Sequence, residues 1–152
     1  MKTTKPSQKE SLEAANKKGI CLEFFSAYQD MEIDRMLGLC EPEGIITFKP
    51  LGPSYRGKIA ELGKAVWSGL MESFPDLDNT VKDQNWDETN NTVSCKVDIF
   101  GTQEKAFAGL PSKGKRFNSE HIFIFHFNPE GLISEIYIDW DHDRFVSQLG
   151  GD

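Results

Sequence analysis

The segment that decides the fold is residues 131–150, GLISEIYIDWDHDRFVSQLG. Its first half alternates apolar and polar side chains, as a strand does, and its last third has the apolar spacing of a short helix. Asp139, Asp141 and Asp143 alternate with larger side chains where the strand gives way to the helix. Free backbone N–H groups at the start of a helix orient carboxylates. Asp141 is therefore predicted to be either a functional carboxylate or an ordinary helix cap.

The rest of the chain divides into helices followed by strands. Apolar residues at helical spacing predict helices at 11–28, 33–39 and 58–74, with one short strand at 44–48 and a loop at 51–57. Alternating residues then predict strands at 77–86, 92–102, 117–127 and 132–141. Helices grouped before antiparallel strands indicate an α+β fold, with the helices on one face of the sheet.

Length and composition predict one domain. Residues 1–10 are polar and contain Pro6, so we expect a disordered lead-in, followed by a single domain over residues 11–152. The chain carries 11 Phe and 3 Trp, more than a small core requires. This aromatic content predicts an aromatic-lined cavity or a dimer interface.

Charge and apolar patterning exclude several classes of protein. With 17 Lys and Arg against 24 Asp and Glu, the net charge of −7 argues against a nucleic-acid partner. No apolar run has the length of a membrane span or the character of a signal peptide, so we expect a soluble, cytoplasmic protein with no membrane partner. Cys21, Cys40 and Cys95 are odd in number and lie in apolar surroundings, which predicts buried free thiols.

Several short motifs together resemble the SnoaL-like polyketide cyclases of the NTF2-like superfamily, over residues 12–150. The motifs are Phe74-Pro75-Asp76, Gly101-Thr102, Phe107-x-Gly109-x-Pro111-x-x-Gly114-Lys115, His121-Ile122-Phe123, Gly131-x-Ile133-x-Glu135, and Asp141 followed by Gln148-Leu149-Gly150. The resemblance implies a cone fold, in which a curved antiparallel sheet wraps around N-terminal helices and encloses an apolar pocket. It also implies a homodimer made through the sheet. Gln103 and Tyr137 stand where many relatives carry His and Trp.

The resemblance further implies a reaction and the residues that carry it. In the cyclases that the chain resembles, an aspartate at the position of Asp141 is the acid/base of an intramolecular aldol ring closure, and a histidine on the preceding strand assists. His126 is the nearest match to that histidine and His121 the second. Asp141 would then act as general base, with its proton affinity raised by an apolar pocket. The alternative for Asp141 is the helix cap, and the alternative for His126 is the outer sheet face or a dimer contact.

Five further side chains are candidates for contact with a substrate. Tyr137 and Asp139 share the alternating face of Asp141, and a tyrosine hydroxyl there could bind a substrate oxygen. The other three are aromatic wall candidates that could equally be plain core: Trp67, Phe107 and Phe48. A metal site formed by the aspartates of residues 139–143 is disfavoured, because no second cluster of ligands accompanies them.

The sequence therefore predicts an enzyme that performs aldol cyclisation or isomerisation on a small apolar carbonyl compound by acid–base chemistry, with neither cofactor nor metal. Two alternatives remain open. One is epoxide-hydrolase-like water activation, which needs an Asp–Arg–Asp network that Arg116 or Arg144 could complete. The other is a non-catalytic module of the same fold that binds a small ligand or dimerises.

Overall fold

The computed structural model describes residues 11–151. The predicted disordered lead-in, residues 1–10, lies outside them. The elements in chain order are α1 (Leu12–Gln29), α2 (Ile33–Leu37), β1 (Cys40–Phe48), a 3₁₀ turn (Lys49–Leu51), β2 (Arg56–Lys58), a π-helical turn (Ile59–Gly63), α3 (Lys64–Ser73), β3 (Asp78–Asp87), β4 (Thr92–Thr102), β5 (Arg116–Phe127), β6 (Ile133–Trp140) and α4 (His142–Gln148).

The first helix confirms the prediction made from its spacing. Ser11 caps α1 by accepting a hydrogen bond from the backbone N–H of Ala14 at 3.0 Å. Phe24 and Phe25 are buried on the face that packs against β5, and the ring of Phe25 lies 4.9 Å from that of Phe123. α1 therefore covers one face of the sheet, as an α+β fold requires.

The six strands form one sheet in the order β2-β1-β6-β5-β4-β3. All neighbours pair antiparallel except β1 and β6, which are parallel. The predicted antiparallel pairing of the four later strands, β3 to β6, is confirmed, whereas the parallel pair of β1 and β6 was not predicted. β1 enters the sheet beside the last strand of the chain, and a pairing between strands so distant in sequence has no local signal.

Two boundaries in the first half of the chain also differ from the prediction. β2 lies at the end of a segment for which the sequence predicts a loop, because three residues containing Gly57 show no alternation. β1 begins at Cys40, four residues before the predicted strand, and includes Pro42. The second helix ends at Leu37, two residues before its predicted end. The pairing of β1 with β6 shifts register between Cys40 and Ile45, and an irregularity of this kind accommodates proline in a strand.

Strand alternation divides the sheet into two faces, which we call the inner face and the outer face. On β5 the inner residues are Phe117, Ser119, His121, Phe123, Phe125 and Phe127, all buried. The outer residues of the same strand include Ile122, Ile124 and His126, which are partly exposed. The inner face packs against the helices and encloses the core.

The three cysteines are buried and free, which confirms the prediction of buried thiols. Within residues 11–151, no helix combines the length and the apolar character that crossing a bilayer demands.

Candidate functional site

An aromatic cavity of about 320 Å³ lies between the inner face of the sheet, α3 and the segment that joins β4 to β5. A volume of this size is at the lower end of the range for small-molecule sites. Its aromatic and imidazole lining consists of Tyr28, Phe48, Tyr55, Trp67, Phe107, Phe117, His121, Phe123, Trp140, His142 and Phe145. We call this space the aromatic cavity.

Three of the predicted wall residues line this cavity. Trp67, on α3, is buried and its ring packs 5.5 Å from Phe24 of α1. Phe48 ends β1 and lies 6.5 Å from Trp140, ring to ring. Phe107 reaches the cavity from the β4–β5 connection and packs against Phe145 at 6.4 Å. These three wall residues thus come from three separate parts of the chain.

The connection between β4 and β5, residues 103–115, is held against the cavity by partly buried hydrogen bonds. Gln103 donates from Nε2 to the carbonyl oxygens of Leu110, at 2.8 Å, and Lys105, at 3.0 Å. Ser73, at the end of α3, donates from its hydroxyl to the carbonyl of Ala106 at 3.0 Å. These bonds set the backbone that carries Phe107.

His121 is the predicted catalytic residue that lies in the aromatic cavity. Its Nδ1 is 3.1 Å from the backbone oxygen of Ser119. A carbonyl oxygen can only accept, so Nδ1 carries the proton and donates it. Burial lowers the pKa of His121 from 6.5 to about 4, against the opposing influence of the Ser119 carbonyl, Asp98 and Asp139. At neutral pH the imidazole is therefore uncharged, and Nε2 is left as the hydrogen-bond acceptor.

The His121 ring stacks on Trp140, with the ring centroids 5.2 Å apart and the planes inclined by 20°. Cross-strand pairing of His121 with Trp140 places the two side chains opposite each other on the inner face. This stacking and the bond to Ser119 fix the orientation of the imidazole.

Tyr28 adds a hydroxyl to the same cavity. The residue is 97% buried at the end of α1, and burial raises the pKa of its phenol, which therefore stays protonated. Among residues 11–151 the hydroxyl has no hydrogen-bond partner. Since Tyr28 lines the cavity, its hydroxyl is a candidate donor to a ligand.

Trp140 and His142 also line the cavity, and sequence reasoning missed both. The sequence did contain a signal for their position, because Ile136 and Ile138 alternate along β6 with Tyr137 and Asp139. An apolar series on β6 marks the inner face, and its continuation reaches Trp140 and then His142. The aspartates and Tyr137 consequently lie on the opposite face.

Asp141 lies outside the aromatic cavity. Its side chain accepts a hydrogen bond from the backbone N–H of Arg144 at 3.0 Å and so caps α4. It borders a separate polar cleft, together with Asp98, Glu120 and Arg144. This geometry agrees with the helix-cap interpretation that the sequence left open; the predicted role of Asp141 as a base is tested by no observation.

Tyr137, Asp139 and His126 lie on the outer face. Asp139 forms an ion pair with Lys49 at 3.5 Å, and its charge, with Tyr137 nearby, raises the pKa of Lys49. His126 pairs across strands with Thr92 and Glu135. The structure therefore does not bring these three residues together with His121 in the cavity.

The arginines proposed for an epoxide-hydrolase-like network are also away from the cavity. Arg116 lies over the ring of Phe100 at 5.0 Å, and Arg144 borders the polar cleft. Neither lines the aromatic cavity. Over residues 11–151, no group of three or more His, Cys, Asp or Glu side chains is arranged to hold a metal ion.

Comparison with known proteins identifies the fold. No protein-family model matches the sequence, and no curated protein matches it significantly. A putative SnoaL-like polyketide cyclase from Jannaschia sp. CCS1 superimposes with a TM-score of 0.81 at 19% identity, covering 94% of this chain and 97% of that one.

Two Streptomyces structures are similar as well. AclR, a putative hydroxylase from Streptomyces galilaeus, has a TM-score of 0.76 at 20% identity and covers 90% of this chain and 96% of that one. IdmH, a putative polyketide cyclase from Streptomyces antibioticus, has a TM-score of 0.71 at 22% identity and covers 88% and 98%. These likenesses confirm, at the level of fold, the resemblance that the motifs indicated. The chain has the NTF2-like cone fold of the SnoaL-like polyketide cyclases.

Proposed function

We propose that this protein binds a small uncharged carbonyl compound in the aromatic cavity and moves a proton next to its carbonyl group, using side chains alone. Removal of that proton gives an enolate, which is the shared first step of aldol cyclisation and of isomerisation. The base is Nε2 of His121. The observation that carries the proposal is this neutral imidazole, whose Nδ1 is held by Ser119 and whose Nε2 is left for a ligand in an apolar cavity.

The surroundings of His121 suit a proton transfer that creates charge. Burial disfavours the imidazolium, which lowers the pKa of His121. When the proton moves from carbon to Nε2, an imidazolium and an enolate form side by side, and their attraction in an apolar medium offsets the cost of burial. Asp98 and Asp139 also favour the protonated ring.

Tyr28 supplies a hydrogen bond for the oxygen of the enolate. Its phenol remains protonated because burial raises its pKa, and the residue lines the cavity. A donor placed in a low-dielectric site stabilises developing negative charge more strongly than water does. Tyr28 would thus polarise the carbonyl from which His121 removes the neighbouring proton.

The lining also defines the charge of the ligand. No Lys or Arg is among the described residues that line the cavity, and Glu72 is the carboxylate among them. An anionic group would be desolvated there without a partner, which is costly. We therefore expect uncharged aromatic or alicyclic ketones and esters to bind, and the corresponding carboxylates to be rejected.

Deuterium exchange at carbon tests this function without knowledge of the natural substrate. The wild type is incubated in D₂O with 2-tetralone, 2-indanone or acenaphthenone, and loss of the α-proton signals is followed by NMR. We expect exchange above the buffer rate for ketones that bind, its loss in His121→Phe, and its retention in the matched outer-face variant His126→Phe. Binding of all three ketones without accelerated exchange would contradict catalysis.

Two rival functions give different results in the same experiment. A non-catalytic binding module would bind the ketones and leave their α-protons in place. Epoxide-hydrolase-like water activation would hydrolyse styrene oxide in a manner that depends on Arg144 or Arg116, although neither residue lines the cavity. The geometry of His121 favours proton transfer over both.

We also infer that the protein forms a homodimer through the outer face of the sheet. Ile122, Ile124 and Tyr137 are partly exposed side by side there, and the pairing of Ile124 with Tyr137 makes the patch continuous. Light scattering should give the mass of a dimer for the wild type and of a monomer for Ile124→Glu. A monomeric wild type would contradict this inference and leave the cavity proposal untouched.

A further inference from the structure

The second imidazole of the cavity, His142, is the part of the site that the function proposed above does not use. Its Nδ1 lies 3.3 Å from Nε1 of Trp140. An indole N–H can only donate, so Nδ1 of His142 is the acceptor and carries no proton. In the neutral ring the proton must therefore be on Nε2.

This tautomer is the opposite of the one found at His121. His121 donates from Nδ1 to Ser119 and offers Nε2 as an acceptor, whereas His142 accepts at Nδ1 and offers Nε2–H as a donor. Both rings line the aromatic cavity. The hydrogen-bonding character of each ring is thus set by a partner outside the ligand.

Trp140 connects the two imidazoles. It stacks on His121 at 5.2 Å and meets His142 edge-on at 5.8 Å, while donating its N–H to His142. His142 also stacks on Phe145, whose ring lies 5.7 Å away and is inclined by 19°. The His142 ring is therefore oriented by contacts with both Trp140 and Phe145.

We infer that Trp140 is a positioning residue that fixes His142 as an Nε2–H donor, so that the cavity presents two imidazoles of opposite hydrogen-bonding polarity. The inference rests on the proposed function for its consequence. The donor, His142, suits a carbonyl oxygen, and the acceptor, His121, suits an acidic C–H or O–H. Together they select a ligand that carries both groups, such as an enolisable ketone or a hydroxyketone. His142 would share the enolate oxygen with Tyr28, and no bond is made or broken at Trp140.

The tautomers are tested first, because that readout does not depend on activity or on any ligand. Long-range ¹H–¹⁵N spectra at pH 7.5 should show His121 protonated on Nδ1 and His142 protonated on Nε2. In Trp140→Phe, which keeps an aromatic ring but loses the N–H, the His142 signals should move toward a mixture of tautomers. His142 protonated on Nδ1 in the wild type, or unchanged in Trp140→Phe, would overturn the inference.

The donor role is tested with 2-tetralone labelled with ¹³C at the carbonyl. Hydrogen bonding deshields this carbon, so we expect a downfield shift on binding to the wild type, a smaller shift in His142→Phe, and partial recovery in His142→Gln, which restores an N–H. Loss of one neutral hydrogen bond should weaken binding by about two- to tenfold. An unchanged carbonyl shift in a folded His142→Phe variant would refute the donor role.

The two proposals fail in distinguishable ways. If His121→Phe abolishes α-proton exchange while His142→Phe leaves both exchange and the carbonyl shift unaltered, the proposed function stands and the role of His142 is wrong. If the ketones bind with the expected carbonyl shift but no variant affects exchange, catalysis by His121 is wrong and the donor role of His142 stands.

Discussion

Replacing His121 with phenylalanine should change how the stability of the protein depends on pH. Burial lowers the pKa of His121 to about 4, whereas an unfolded chain restores a value near 6.5. Between these two values the unfolded chain binds more protons than the folded protein, so stability rises with pH in this window and falls as the pH drops from 6.5 toward 4. Above pH 7 the His121 imidazole contributes no pH dependence to the free energy of unfolding.

The size of the effect follows from the difference between the two pKa values. It corresponds to about 3 kcal/mol once the pH is below both, of which about 2 to 3 kcal/mol is already lost at pH 4.5. The Ser119 carbonyl accepts a hydrogen bond from Nδ1 of His121. It and the negative charges of Asp98 and Asp139, which act across the sheet from its outer face, all favour the protonated ring. They limit the lowering of the pKa and do not reverse its sign.

Urea unfolding of the wild type and His121→Phe at pH 7.5, 6.5, 5.5 and 4.5 measures this contribution. The free energy of unfolding of the wild type should fall more steeply below pH 6.5 than that of the variant. Phe125→Leu is the matched control: it removes packing on the same face, where the Phe125 ring contacts Phe24 and Phe25, so it should lower stability equally at every pH. A difference between the wild type and His121→Phe that is constant from pH 7.5 to 4.5 would refute a buried neutral imidazole.

Substitutions at four further positions test the geometry around the cavity. Asp141→Ala should lower the free energy of unfolding by about 1 kcal/mol through loss of the α4 cap, whereas Asp141→Asn should retain most of that stability. Neither substitution should alter ketone binding, measured by fluorescence titration. Weakened binding in Asp141→Asn would place the carboxylate in the site. Gly69→Ala should raise the free energy of unfolding by about 0.5–1 kcal/mol, because the new methyl group in α3 makes only ordinary van der Waals contacts. In Gly63→Ala the new methyl group would lie 3.1 Å from the Trp67 ring and should destabilise the protein. Equal effects of the two substitutions would contradict the packing. Gln103→Leu leaves the carbonyls of Lys105 and Leu110 without their donor. Amide hydrogen exchange in residues 103–115 should therefore accelerate, and the free energy of unfolding should fall by roughly 1–3 kcal/mol. Unchanged exchange would show that these bonds do not hold the connection in place.

Local patterns in the sequence predicted most of the fold. The spacing of Phe24 and Phe25 in α1, and the alternation of β4 and β5, reflect burial on one face and need no knowledge of distant residues. The parallel pairing of β1 with β6 could not be predicted in this way, because Ile46 and Ile136 are brought together only by the completed sheet. The three-residue strand β2 was too short for any period to be visible.

The candidate site was predicted in part, and the misplaced residues have a common cause. Trp67, Phe107 and Phe48 were found because large aromatic side chains at apolar positions are either core or pocket wall. Emphasis on the charged residues of β6 favoured the face of Asp139, although the apolar alternation through Ile138 marks the other face as the inner one. The alternation of apolar residues along β6 therefore indicates that the cavity lies on the face of Trp140.

The tautomer of His142 lay beyond sequence reasoning for a different reason. It depends on a hydrogen bond of 3.3 Å between two side chains that are two residues apart, one at the end of a strand and the other at the start of a helix. No spacing rule specifies the relative orientation of an indole and an imidazole across such a junction.

Intermolecular NOEs from 2-tetralone to methyl-labelled protein test most directly whether the aromatic cavity is the ligand site. Val66, Leu70 and Ile138 line the cavity, whereas Ile122 and Ile124 report on the outer face of the sheet. We predict NOEs to the first group, lost when Gly69→Phe fills the space beside Phe107. NOEs confined to Ile122 and Ile124, or an absence of saturable binding, would contradict a ligand site in the cavity.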